Sequence, residues 1–264
     1  MLKSFKSRIS VSFFLLSAFI SVFYFVVLYT RAVKDETEGL KLYLKNFAAA
    51  GSQSIRGDDV MTVPLDESCQ YHPVYQKLTL ELKKIAKIDP RIDDAYLLVP
   101  TGKENILQFV TNANKEVSPV ACGEEYDAAS YPEMQSAFVA PAVDRTLTHD
   151  KWGVWLSAYA PVLDSADKPI GILGVDVAAK TIDDLKWRYL ERFLMVIGVA
   201  LVLSFLIGLL TSQWLTKPIE QILRGMERVN DGDLNYTLKA MPEKEFNCIV
   251  VMFNKMTASI RCLM

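Results

Sequence analysis

Two long apolar runs and one interrupted amphipathic tract divide the chain. Residues 9–30 and 193–216 carry no charged side chain. At 1.5 Å per residue the second run makes a helix of roughly 36 Å, enough to cross a hydrocarbon core of about 30 Å. Beyond it Leu215, Ile219, Ile222, Met226 and Val229 recur at alternating spacings of four and three, the seam of a coiled coil. The polar stretch Asn230-Asp231-Gly232-Asp233 interrupts the seam, and Phe246, Ile249, Phe253, Met256, Ile260 and Leu263 resume it. Two helices this short are marginal alone and need a partner to cover their seams, most simply a second copy of the chain.

Between the apolar runs the periodicity changes. Leu40, Leu44 and Phe47 form a stripe on a helix continuous with the first run. A second helix is predicted from Pro73 to Lys87 and is stopped by Asp89-Pro90. Strands follow at 95–99 and 106–110 about a Pro-Thr-Gly-Lys turn, and a short helix is predicted near 132–138. A second hairpin comprises 153–163 and 169–178, joined by Asp164-Ser165-Ala166-Asp167-Lys168. Two helices and about five hairpin-connected strands predict an α+β domain with an antiparallel sheet.

Charge then sets the topology. Lys3, Lys6 and Arg8 flank the first run, and Lys217, Arg224 and Arg228 follow the second. The positive-inside tendency places both termini in the cytoplasm. Lys186, Arg188 and Arg192 point weakly the other way. A cleaved signal peptide is the competing reading of the first run, but its apolar part would span only about 7–15 residues and end in a small-residue site, whereas this run ends Val-Leu-Tyr-Thr-Arg. The expected organisation is a cytoplasmic N-terminus (1–8), a first span (9–30), an extracytoplasmic domain (31–192) in a periplasm or at a cell surface, a second span (193–215) and a cytoplasmic module (216–264). A formal net charge of −2 leaves no footprint for nucleic acid.

The segment TKPIEQILRGMERVNDGDLNYTLKAMPEKEFNCIVVMFNKMTASI resembles a HAMP domain, the relay module of bacterial transmembrane receptors. The matching positions are Pro218, Gly232-Asp233-Leu234, Leu238, Glu245, Phe253, Asn254 and Met256, while Lys244 and Asn247 depart from the family pattern. The resemblance implies a parallel four-helix bundle in a homodimer. Its relay residues would be Pro218, Ile219, Ile222, Met226, Gly232, Leu234, Leu238, Glu245, Phe246, Ile249, Phe253 and Met256. The upstream AYAPVLDSADKPIGILGVDVAAKTI is similar to the closing strands of Cache domains, the PAS-like extracytoplasmic sensors of bacterial receptors. One such unit fits the length, and YDAASYPEMQSAF, with Tyr131, and HDKWGVWLSAYAP fit its pocket-bordering loop and strand. The family's Gly-x-Asp position falls on Asp176, where the resemblance implies contact with a ligand ammonium group.

Candidate chemistry is confined to this outer domain. Trp155, Ser157 and Tyr159 alternate along one strand and share a face. Arg145 or Lys151 would instead pair a ligand carboxylate, so an amino compound and a carboxylate both remain open. The plainer alternatives are core packing for the tryptophans and a turn cap for Asp176. Cys69 and Cys122 are a candidate disulfide that would close a loop of about 53 residues for roughly 4 kcal/mol, with unlinked thiols as the alternative. Ala200, Ser204, Gly208 and Ser212 recur every fourth residue and would let two membrane helices approach closely. No phosphate loop, metal-ligand spacing or nucleophile motif occurs, so a non-enzyme without cofactor or metal is expected. The expectation is a signalling receptor for a small extracytoplasmic ligand, acting on a cytoplasmic partner or a following output domain. The alternatives are the sensor portion of a histidine kinase or nucleotide cyclase, or a stand-alone membrane adaptor. The seam is still in phase at the last residue, which favours a chain that continues.

Overall fold

The computed structural model describes the backbone of residues 2–263 and the side chains of residues 8 and 10–262. The expectations resting on Lys3, Lys6 and Leu263 side chains lie outside those described. The chain divides into two compact units, Thr30–Leu190 and a second made of Met1–Tyr29 with Glu191–Met264. Helix α1 (Leu2–Ser52) and helix α5 (Ala179–Asn230) each contribute to both units. Both are long and apolar enough to cross a membrane.

The outer unit is built on one antiparallel sheet. After the C-terminal part of α1 come α2 (Gly57–Met61) and α3 (Pro73–Ile88). Proline at its first position starts α3, and Tyr75, Leu78, Leu82 and Ile85 form its buried stripe. Asp89 is extended before Pro90, where an α conformation would clash, and the helix stops there. The strands are β1 (Asp94–Pro100), β2 (Ile106–Asn112), β3 (Glu125–Asp127), β4 (Ala142–Val143), β5 (Thr148–His149), β6 (Val154–Leu163) and β7 (Pro169–Ala178), with α4 (Pro132–Ser136) between β3 and β4. Their order is β3-β2-β1-β7-β6-β4, with β5 also on β6. Seven strands form where about five were expected. The additional ones are pairs and triplets of residues, too short to show a period of two.

The two faces of this sheet are covered differently. One receives Leu40, Leu44 and Ala48 of α1 and the stripe of α3. Its own residues are aliphatic, among them Ala95, Leu97, Leu156, Ala158, Ala160, Leu173, Val175 and Val177. The opposite face carries Tyr96, Leu98, Phe109, Tyr159 and Ile172 under loops and the short α4. A β-bulge fixes the change of aim along β2: Leu97 pairs Thr111 but Leu98 pairs Phe109, so Val110 is the extra residue. Val110 therefore packs on the helical side, as does Thr111, whose hydroxyl meets that of Thr79 on α3 at 2.7 Å. Asn112 is turned to the other face.

The second unit holds the apolar parts of α1 and α5 and the helix α6 (Lys244–Leu263). Phe14 meets Phe205 edge-on with centroids 6.2 Å apart, and Phe25 meets Phe193 at 6.1 Å. Pro218 lies inside α5, which continues to Asn230. Gly232, at φ +94°, ends the helix, and Asp233 N–H reaches back to Arg228 C=O at 3.0 Å. A small core then joins Ile222, Leu238, Met241, Val250 and Phe253. Asn254 clamps the connector: its Oδ1 accepts from Leu238 N–H at 2.9 Å, and its Nδ2 donates to Leu238 C=O at 3.0 Å. Met226, Ile249 and Met256 remain exposed.

Candidate functional site

The loop-covered face of the sheet encloses a cavity of about 20 Å3, room for about one water-sized molecule. Its wall includes three carboxylates (Asp94, Asp150, Asp176) and five aromatic rings (Tyr96, Phe109, Tyr126, Trp152, Trp155). Asp94 and Asp176 are directly opposite each other on β1 and β7, so their side chains leave the sheet together. Ser157 of β6 is opposite Asp176 on its other side.

Each carboxylate is held differently. Asp94, 1% exposed, has both oxygens engaged by four donors. Oδ1 accepts from Ala95 N–H and Asn114 N–H, both at 2.8 Å, and Oδ2 accepts from Asn112 Nδ2 at 2.8 Å and from the Ser118 hydroxyl. Asn112 reaches it because of the bulge at Val110. Asp94 thereby ties the loop bearing Ser118 and Val120, one wall of the cavity, to the sheet. Asp150 organises the opposite wall: its Oδ1 accepts from Trp152 N–H at 2.8 Å, Gly153 N–H at 2.9 Å and Trp155 Nε1–H at 3.1 Å. Asp176, 8% exposed, accepts from the Tyr96 hydroxyl at 3.1 Å. Burial pushes its carboxyl well above the ordinary range; Ser157 and Tyr96 hydrogen bonds oppose the shift, and the Asp94 charge adds to it.

A fourth acid lies nearby on the same face. Asp144 is 1% exposed; its Oδ2 accepts from Ser157 N–H at 3.2 Å, Thr148 Oγ1 at 3.3 Å and Tyr159 Oη at 3.4 Å. Its Oδ1 is buried without a partner. Burial raises this carboxyl from 3.8 to about 6.

The rings form a connected set. Phe109 lies edge-on to Tyr96, Tyr126 and Trp152 with centroids 5.6–5.7 Å apart. Tyr126 and Trp152 are near-parallel at 6.2 Å. Tyr96 needs the bare backbone of Gly174 opposite it, because a Cβ there would come within 2.3 Å of the ring.

Of the residues singled out in the sequence, Trp155 and Asp176 line the cavity. Ser157 and Tyr159 are buried on the same face, and Tyr131 stacks on Tyr126 at 5.7 Å while its hydroxyl donates to His149 C=O. Arg145 and Lys151 are outside the wall. The Arg145 side chain, 91% exposed, pairs with Glu133 at 3.1 Å. Lys151 pairs with Glu124, its Nζ 4.4 Å from the Trp152 ring centroid. Asp94, Tyr96 and Phe109 emerge as cavity residues from the fold itself, while Tyr126, Asp150 and Trp152 lie in the two stretches expected to border the pocket. The available signal was the acidic pair Asp93-Asp94 opening an apolar strand. Cys69 and Cys122 carry free thiols. Burial pushes the Cys122 thiol up, and a hydrogen bond to Cys69 adds to the shift.

No family model matches the chain. A stretch of 90 residues is 27% identical to a probable methyl-accepting chemotaxis protein of Bacillus thuringiensis subsp. konkukian, covering 34% of this chain and 16% of that one. The chain thus matches under a fifth of that relative's length. Among solved structures, the sensor domain of the Vibrio cholerae histidine kinase DctB is similar at a TM-score of 0.44 and 12% identity, covering 62% of this chain and 57% of that one. The ligand-binding domain of the Campylobacter jejuni chemoreceptor Tlp3 in complex with L-valine is similar at 0.39 and 14%, covering 69% and 66%. At TM-scores below 0.5 these likenesses assign no role to any residue.

Proposed function

We propose that this chain is a membrane receptor whose outer domain senses a small organic ligand and passes the signal inward through α5. The observation that carries the reading is the cavity itself. The loop-covered face of the sheet concentrates buried acids and aromatic rings where a face built only for packing would hold aliphatic side chains. Asp176 belongs to β7, and α5 begins at Ala179, directly after that strand ends. A ligand that favours one arrangement of the cavity would therefore act on the strand that continues into the relay helix. It can drive a switch only through its differential affinity for the two states.

In this reading residues 216–264 act as the HAMP-like relay of a parallel homodimer, in which Met226, Ile249 and Met256 meet the partner copy. The protein acts as a receptor and not as an enzyme, with residues 31–192 outside a bacterial inner membrane and both termini in the cytoplasm. Thermal unfolding of the full chain in detergent against small amines, amino acids and carboxylates tests the sensing step. A compound that raises Tm in the wild type but not in Asp176→Asn supports the reading. A compound that stabilises both equally places sensing elsewhere. For the dimer, a single cysteine at Met226 in a cysteine-free background is expected to crosslink in membranes and one at Arg224 is not. Equal crosslinking removes the seam.

A further inference from the structure

The relay helix begins without a cap of its own. α5 follows β7 directly at Ala179, and no acid lies in its first turn. Ala178 therefore stands where a Ser, Thr or Asp usually caps, and it has no side-chain oxygen. The missing carboxylate comes from another strand. Asp93, just before β1, accepts from Ala178 N–H through Oδ2 at 2.7 Å, and its own N–H donates to Asp176 C=O at 2.9 Å. A negative charge at a helix N-terminus is favoured by the helix dipole, so this contact holds the start of α5 to Asp93.

Asp93 is tied in turn to the cavity wall. Asn114 Nδ2 donates to Asp93 C=O at 3.0 Å, and Asn114 N–H donates to Asp94 Oδ1 at 2.8 Å. Its Oδ1 accepts from Glu116 N–H at 3.2 Å and Val117 N–H at 3.3 Å, which folds the approach to Ser118 into a turn. The Ser118 hydroxyl closes on Asp94, and Ser118 and Val120 line the cavity. A path of hydrogen bonds thus runs from the wall through Asn114 and Asp93 to Ala178. Resting on the sensing reading above, we infer that Asp93 is a positioning residue of the relay, which passes movement of the wall stretch 114–120 to the start of α5. β7 itself gives the direct route from Asp176; Asp93 brings in the neighbouring wall.

A double-mutant cycle on the full chain in detergent tests the path without any ligand, read by amide hydrogen exchange in 178–186, which includes the first turns of α5. Ser118→Ala removes the hydroxyl that donates to Asp94 and leaves the Asp93 side chain in place. It is expected to speed exchange in 178–186 about threefold or more. Asp93→Ala should speed it as well, and adding Ser118→Ala to that variant should then change nothing further. Asp93→Asn, which keeps an acceptor for Ala178 N–H, should restore the response to Ser118→Ala. A cap that serves local stability alone gives additive effects, with the same response to Ser118→Ala whether or not Asp93 is present, and that result overturns the inference. Unchanged exchange in Ser118→Ala alone overturns it too, so the test stands even if Asp93→Ala does not fold. With no compound added, these outcomes are read separately from the thermal screen that decides the sensing reading.

Discussion

The two faces of one sheet were put to different uses. On the helical side, β1, β6 and β7 present Ala, Leu and Val to the stripes of α1 and α3, and the polar contacts there are paired. The Tyr43 hydroxyl donates to Asp89 at 2.6 Å, Arg91 closes on the same carboxylate at 2.6 Å, and the guanidinium lies 4.6 Å from the Tyr43 ring centroid. Hydrogen bonds from Arg91 hold that acid below the ordinary carboxylate range. On the other face, Asp94 of β1 and Asp176 of β7, with Asp144 just after β4, are buried without a cation, and burial raises all three. A carboxylate held by a cation stabilises a fold; one buried without a cation strains it. The contrast is what the proposed sensing role of the loop-covered face rests on.

The largest expected effect lies on the packing face. Leu97→Ala or Leu173→Ala leaves a cavity against α1 and α3 and should cost about 2–5 kcal/mol in chemical unfolding. A cost below about 1 kcal/mol would show that this face is loosely packed.

Next comes the pH dependence of the loop-covered face. Asp144 titrates at about 6 folded and 3.8 otherwise, so the folded state retains a proton that the unfolded chain has lost. Its stabilising contribution is complete below the lower value and lost as pH rises through the upper one, up to about 3 kcal/mol. Asp144→Asn should therefore gain on the wild type as pH rises from about 4 to 7, by denaturant titration at each pH. Asp89→Asn should show the opposite sign. The stabilisation from Asp89 is present above its ordinary pKa and lost as pH falls, so this variant loses least in acid. Equal pH slopes in the two variants would erase the distinction between the faces.

A smaller effect tests the fit of the rings. Gly174→Ala places a methyl within 2.3 Å of Tyr96 and should cost about 1–3 kcal/mol, with a changed near-ultraviolet circular dichroism. An unaltered spectrum and stability would mean that Tyr96 is free to move.

Much of this arrangement was legible in the sequence. The helix predicted from Pro73 to Lys87 and the hairpin 153–163/169–178 form as α3 and β6–β7, because each has a clear period and terminating residues. Trp155 and Asp176 could be placed on one face for the same reason. How the remaining segments close the cavity could not be read. Phe109, Tyr126 and Trp152 belong to three segments that meet only through long-range pairing, and Asn112 depends on a bulge with no sequence mark. Arg145 and Lys151 seemed suited to the site by proximity in the chain; their partners Glu133 and Glu124 are 12 and 27 residues upstream.

The most direct test of the contrast is the unfolding free energy of Asp176→Asn at pH 7 with no ligand added. Asparagine keeps an acceptor for the Tyr96 hydroxyl and removes the charge. If the acid is there for binding, the variant is as stable as the wild type or more stable by about 1 kcal/mol. A loss of about 2 kcal/mol or more would show that Asp176 holds the fold together and would contradict the assignment of this face to binding.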